Sequence, residues 1–274
     1  GNHSVQVFAK ASSAFCRVIG TYQAGSSKSV GYSRGMLDTP AALCVDAAGK
    51  LLVCCESTVH LVPPPCRICS EVPALMHGVA VGPNGEIFAT DHSSNRVVVL
   101  RRDTEGSHEL VTSFGQDHLQ GPRGIAIDYE EEIVYVASSA NTISVFGMDG
   151  EHRNQFEVPN GPWGVALHGN RIFVSQHSGS VVQVFSKLGV QEQSILSGQV
   201  VDPRGIAVDS DGTIYVASQG HHMVRAFSAA GTFIRQYGNG SASNANGSVH
   251  TPSDVCVDDE YVYVACQGNH SVQV

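Results

Sequence analysis

A phrase of the form Pro-x-Gly-hydrophobic-Ala-hydrophobic-Asp returns six times at a period of about 42 residues, and most copies lead through a short turn into a β-branched and aromatic run. No apolar period of 3.6 residues persists anywhere in the chain. These observations predict an all-β fold, a six-bladed β-propeller with four antiparallel strands per blade whose sixth blade is completed by both termini.

The clearest copies are Pro122-Arg-Gly-Ile-Ala-Ile-Asp128 and Pro203-Arg-Gly-Ile-Ala-Val-Asp209, with looser ones beginning at Pro40, Met76, Pro162 and Pro252. Each is the innermost strand of a unit. The second strand follows as Val134-Tyr-Val-Ala137, Ile214-Tyr-Val-Ala217 or Val262-Tyr-Val-Ala265, joined to the first by a tight turn such as Asp209-Ser-Asp-Gly212. A third run alternates apolar positions, as Val97 with Val99 and Val182 with Val184, and a looser fourth run such as Phe233 to Tyr237 closes the unit. A four-stranded unit cannot bury both faces of its own sheet, so the units are expected to stack into a ring.

On this reading residues 1–274 form one domain, with complete blades at about 38–72, 73–117, 118–158, 159–199 and 200–249. Segments 1–23 and 250–274 share the remaining blade. The first seven residues repeat as the last seven, 267 positions later, so two copies of one third strand compete for a single slot. The N-terminal copy alone continues into a fourth strand, so Ser4 to Phe8 are expected beside Val262 to Ala265. The duplication and the start at Gly1 lead us to expect a fragment of a larger protein, such as one unit of a tandem array, or a chain extended past its own seam. The spare strand would then allow self-association.

Hydrophobic residues make up 42% of the 274 positions, charged residues 15%, and there are 29 glycines, the profile of a soluble, turn-rich fold. No run approaches the roughly 18 apolar residues of a membrane helix. The net charge of −9 lies in no block and weighs against a nucleic-acid or membrane surface. Cys44, Cys54 and Cys256 occupy strand patterns and are expected as buried thiols, and a period-2 strand would point the sulfurs of Cys66-Arg-Ile-Cys69 to opposite faces. Nothing here assigns a compartment.

The turn and strand Gly268-Asn-His-Ser-Val-Gln-Val274, its twin at Gly1 to Val7, and the phrases that precede such turns resemble the NHL repeat, which is named for that Asn-His turn. The resemblance covers nearly the whole chain and implies the propeller fold. His92-Ser-Ser-Asn95, Gln176-His-Ser-Gly179 and Cys55-Glu-Ser-Thr58 depart from the motif. It also implies three functional classes: interaction modules attached to other domains, channel-site enzymes such as peptidyl-hydroxyglycine lyases, and single-stranded RNA binders.

The second residue of each phrase is expected at the channel mouth on the face that also carries the turns between second and third strands, here called the top. These residues are Ala41, His77, Arg123, Trp163, Arg204 and Ser253. Trp163, the single tryptophan, stands between two arginines, a composition enriched in interface hot spots. The candidate partner site is Trp163, Arg123, Arg204 and His77, read as an exposed aromatic anchor for a protein or peptide.

The imidazoles of His92, His177, His221 and His222 come from the turns of three different blades and are expected to bond structurally along the rim. Asp46, Asp128, Asp209 and Asp258 each precede a tight turn and are expected to bond their own backbone. No metal site, cofactor or catalytic residue is assigned, and the balance leans away from an enzyme. RNA would stack on Trp163 beside Arg123 and Arg204, against the acidity of the chain. Two Ser-, Gly- and Asn-rich connections, Ala24 to Leu37 and Asn239 to Thr251, are expected to wall the channel, and sequons occur at Asn2, Asn239, Asn246 and Asn269.

Overall fold

A computed structural model describes residues 4–12, 14–19, 40–46, 49, 51–55, 59–62, 76–102, 108–242 and 247–268. In chain order the strands are β1 (Ser4–Ala9), β2 (Phe15–Ile19), β3 (Pro40–Val45), β4 (Leu51–Cys55), β5 (Val59–Val62), β6 (Met76–Val81), β7 (Ile87–Asp91), β8 (Arg96–Arg102) and β9 (His108–Phe114). They continue as β10 (Pro122–Asp128), β11 (Ile133–Ser138), β12 (Thr142–Gly147), β13 (His152–Glu157), β14 (Pro162–His168), β15 (Arg171–Gln176), β16 (Val181–Ser186) and β17 (Gln191–Ile195). The last are β18 (Pro203–Val208), β19 (Ile214–Ser218), β20 (Met223–Phe227), β21 (Phe233–Tyr237), β22 (Pro252–Val257) and β23 (Tyr261–Cys266).

The architecture is a β-propeller with five four-stranded antiparallel blades: β6 to β9, β10 to β13, β14 to β17, β18 to β21, and the blade β2-β1-β23-β22 built from both ends of the chain. Strands β3, β4 and β5 form a further, three-stranded sheet. The innermost strands touch in the cycle β3, β6, β10, β14, β18, β22 and back to β3. Second strands β7, β15 and β19 are almost entirely buried, because sheets cover both their faces, and their sequences are correspondingly apolar. The outer strand β13, His-Arg-Asn-Gln-Phe-Glu, is mostly exposed and polar. The core lies between sheets: Ala80, Phe88 and Val97 of one blade, for example, pack with Ile125, Val134 and Phe146 of the next.

In the blade built from both ends, β1 takes the third position, pairing Ser4 with Cys266 through Ala9 with Tyr261. Val5, Val7 and Phe8 are thereby buried. The C-terminal copy of the strand, Cys66, Cys69, and the Ala24 to Leu37 connection lie outside the described residues. Where the Asn239 to Thr251 connection is described, Asn239 Nδ2 donates to Ser248 Oγ at 3.1 Å. Cys54, Cys55, Cys256 and Cys266 are buried, while Cys44 is only partly buried and Cys16 is exposed.

Close contact at the ring's centre is specified by the third phrase residue. A Cβ on Gly124 would stand 2.5 Å from the Trp163 carbonyl oxygen, and one on Gly164 would stand 2.6 Å from that of Arg204. Glycine permits adjacent inner strands to approach this closely. Hydroxyls from second strands satisfy two carbonyls that face such glycines, Arg123 O opposite Gly78 and Arg204 O opposite Gly164: Thr90 Oγ1 donates to the first at 2.7 Å and Ser175 Oγ to the second.

The recurring aspartates stabilise turns. Asp209 Oδ1 accepts the Asp211 and Thr213 amides at 3.0 and 2.8 Å, and Asp258 Oδ1 accepts those of Glu260 and Tyr261 at 2.8 and 2.7 Å. Their second oxygens accept the hydroxyls of Tyr215 and Tyr263. Asp209 also pairs with Lys10 Nζ at 2.9 Å, and Asp128 with Lys187, each lysine coming from the following blade. Arg235 and Tyr237 donate to the Lys10 carbonyl, so the N-terminal hairpin is fastened to the β18 to β21 blade.

Two outcomes follow from this architecture. Gly124→Ala should destabilise the fold by about 1–3 kcal/mol, read as a lower urea midpoint at constant m-value, because a backbone carbonyl must move. Burial alone would raise the Asp209 carboxyl, but Lys10, the Thr213 amide and the Tyr215 hydroxyl hold it below its ordinary value. That stabilisation is complete above about pH 4 and disappears as pH falls through the depressed folded value. Lys10→Ala should therefore cost more in a urea unfolding series at pH 7 than at pH 3.

Candidate functional site

Three consecutive sheets bring the second residues of their inner strands, Arg123 (β10), Trp163 (β14) and Arg204 (β18), together. The guanidinium carbons of Arg123 and Arg204 lie 4.3 and 4.4 Å from the indole ring centroid. Because the two arginines arrive from the flanking blades, they bracket Trp163, a stacking that holds cation and ring together. His77 lies 5.9 Å from Trp163 and stacks on His92 with ring centroids 4.5 Å apart. All four expected site residues therefore share one patch.

The environment of these groups differs from the sequence expectation in three ways. Trp163 is half-buried, not an exposed anchor, since the arginines cover it. Two rim imidazoles turn toward the site: His92 stacks on His77, and His177 lies 5.4 Å from Trp163 while its Nδ1 meets Asp202. The other two keep the structural role expected of them: His222 Nδ1 accepts the Thr251 amide at 3.2 Å, and His221 Nδ1 bonds Ser218 Oγ at 2.9 Å. Of the remaining mouth residues, Ser253 turns into structural work and donates to the Pro40 carbonyl at 2.9 Å.

Burial sets the charge state of the patch. It lowers both guanidiniums somewhat from their ordinary value, yet leaves them cationic. Burial, reinforced by His92 and the two arginines, brings His77 down to about 4, so this imidazole is neutral at physiological pH. Arg123 Nη1 donates to the Pro162 carbonyl at 3.2 Å and Arg204 Nη1 to Gln267 Oε1 at 3.5 Å. The Nε of each has no partner among the described residues, and none of their carboxylates stands within 4.0 Å of either guanidinium.

A cavity of about 60 Å³ lies among the inner strands, bounded by His77, Trp163, Ser253, Asp254 and the inner glycines. Asp254 is the residue that sequence reasoning passed over. It occupies the third phrase position, where four copies carry Gly and one Ala, and its Oδ2 accepts the Leu43 amide at 2.7 Å. Burial pushes its carboxyl up to about 7 although the Leu43 and Val255 amides pull the other way. The signal was present as a break in the repeat. Among the described residues no three His, Cys, Asp or Glu side chains are placed to hold a metal ion.

No family model matches the chain, and no curated protein matches it in sequence. Solved structures share its fold. A protein of unknown function from Bacteroides thetaiotaomicron superposes with a TM-score of 0.73 at 14% identity, over 96% of this chain and 76% of that one. A gluconolactonase from Xanthomonas campestris gives 0.65 at 15% identity, over 84% and 87%. A virginiamycin B lyase from Staphylococcus aureus gives 0.61 at 12% identity, over 83% and 94%. At such identities the likeness establishes a β-propeller and nothing finer.

Proposed function

We propose that this chain is a non-catalytic binding module, a six-bladed propeller of NHL type in which β3 to β5 belong to a blade of their own and the blade built from both ends of the chain is the sixth. It takes a protein or peptide partner at the top-face mouth around Trp163, Arg123, Arg204 and His77. The observation that supports this reading is Trp163 bracketed by two half-buried guanidiniums with no carboxylate of the described residues within 4.0 Å. A fold gains little by desolvating two cations beside one another, whereas a binding surface gains preorganised donors and a large amphipathic ring.

A channel-site enzyme is the second reading, favoured by His77 and Asp254 in one cavity. Their proton affinities are displaced in opposite directions, leaving a neutral imidazole near a carboxyl that is protonated below about pH 7. Groups displaced in this way can serve as base and acid. The gluconolactonase and the lyase are enzymes on this fold, but the cavity admits only a very small reacting group.

The binding reading is tested by selecting displayed peptides on the folded chain and re-measuring the winners against Trp163→Ala. Affinity should fall by about 2 kcal/mol, near thirtyfold, with an unchanged thermal transition. Winners indifferent to Trp163 would remove the mouth as the site. A separate outcome concerns Asp254, whose raised folded value means that folding favours the protonated form. Its charge costs nothing below about pH 4 and progressively more toward pH 7, at up to about 1.4 kcal/mol per pH unit. Asp254→Asn should flatten that decline in a pH series of urea midpoints.

A further inference from the structure

The top-face reading leaves open what chemistry the mouth recognises, and the arginine bracket answers it. Resting on that reading, we infer that the bracket of Arg123, Trp163 and Arg204 receives a carboxylate, an acidic side chain of a peptide or protein partner.

Charge is the first reason. Two guanidiniums held within 4.4 Å of the same indole repel one another in partly desolvated surroundings, and an incoming anion relieves both at once. Asp202 acts on Arg204 through space but makes no ion pair with it within 4.0 Å, its Oδ1 meeting His177 Nδ1 instead. Stacking on the ring also removes rotamer freedom from both arginines before any ligand arrives, so less is lost when their N–H groups close on a planar carboxylate.

Geometry and the distribution of other cations favour a carboxylate over a nucleic-acid phosphate chain. The guanidiniums already occupy the approaches to the indole, so a base has no ring there on which to stack. A backbone-tracking groove needs a row of cations, and among the described residues none extends from the bracket: Arg96 is paired with Asp91, Lys187 with Asp128, Lys10 with Asp209, and Arg225 donates to the Gln199 carbonyl. His77 is neutral beside the bracket. Among the described residues the positive charge beside Trp163 is therefore that of the two arginines, in a chain of net charge −9, which suits a single acidic side chain.

Trp163 is the only tryptophan, so its emission reports this site alone. The probes are a blocked hexaglutamate, a blocked hexaglutamine and a uridine octamer, each titrated into the folded chain. Hexaglutamate should change the emission saturably and bind at least about tenfold more tightly than hexaglutamine, with about tenfold lost in Arg204→Gln and in Arg123→Gln and a smaller loss in Arg204→Lys. Raising salt from about 50 to about 500 mM should weaken it further. If an arginine variant fails to fold, the salt series and the peptide pair decide on the unaltered protein. Equal affinity for the two peptides, no saturable change, or an octamer that binds more tightly than hexaglutamate would each overturn the inference. Should neutral displayed peptides still depend on Trp163, the top-face reading survives and only the carboxylate falls.

Discussion

At Gly78, Gly124 and Gly164 adjacent inner strands approach one another so closely that no side chain fits between them, and the ring's geometry depends on that approach. The Gly124 Cα faces the Trp163 carbonyl and the Gly164 Cα faces that of Arg204, while Thr90 and Ser175 supply hydroxyls to the Arg123 and Arg204 carbonyls. Glycine alone would leave buried acceptors unsatisfied, and hydroxyls alone could not reach them if the strands stood further apart. The same pair of devices fixes where the second phrase residue must point. Arg123, Trp163 and Arg204 converge because their backbones are geared together one residue further along.

Where that gearing is interrupted, the chemistry changes. Asp254 stands at the glycine position of β22 and brings the one carboxylate that bounds the inner cavity, held by the Leu43 amide of the neighbouring sheet. A carboxyl lodged among backbone groups and apolar side chains keeps its proton to higher pH than one in water. The blade built from both ends of the chain thus differs from the others in its inner lining as well as in its connectivity.

The repeat made most of the fold legible before any coordinates: phrase, turn and second strand recur with so regular a spacing that inner strands and hairpin turns could be placed residue by residue. The Asp209 and Asp258 turns illustrate why, since a short carboxylate that caps its own backbone is a local property written within five residues. The site was legible in membership but not in arrangement. That Trp163, Arg123 and Arg204 come together follows from the period, whereas the stacking that half-buries Trp163 depends on side-chain rotamers that no spacing specifies. His177 and His92 were assigned to the rim by their turns, and only packing shows them leaning toward the mouth. Asp254 was overlooked because attention to what recurs draws the eye away from the copy that breaks the rule.

The pairing of β1 with β23 carries a consequence for the life of the chain during synthesis. Val5, Val7 and Phe8 reach their buried places only beside residues 261 to 266, which leave the ribosome some 250 residues later. At about 5–20 residues per second, that is a wait of tens of seconds with an apolar strand edge unpaired, in a topology whose decisive contact is also its most distant in sequence. Lys10, fastened to Asp209 and to the β18 to β21 blade, offers an earlier foothold, because that blade is complete before β23 emerges. The hairpin can be held in waiting at the rim of a nearly finished ring, and the final strand then has only to slide into a gap that is already framed.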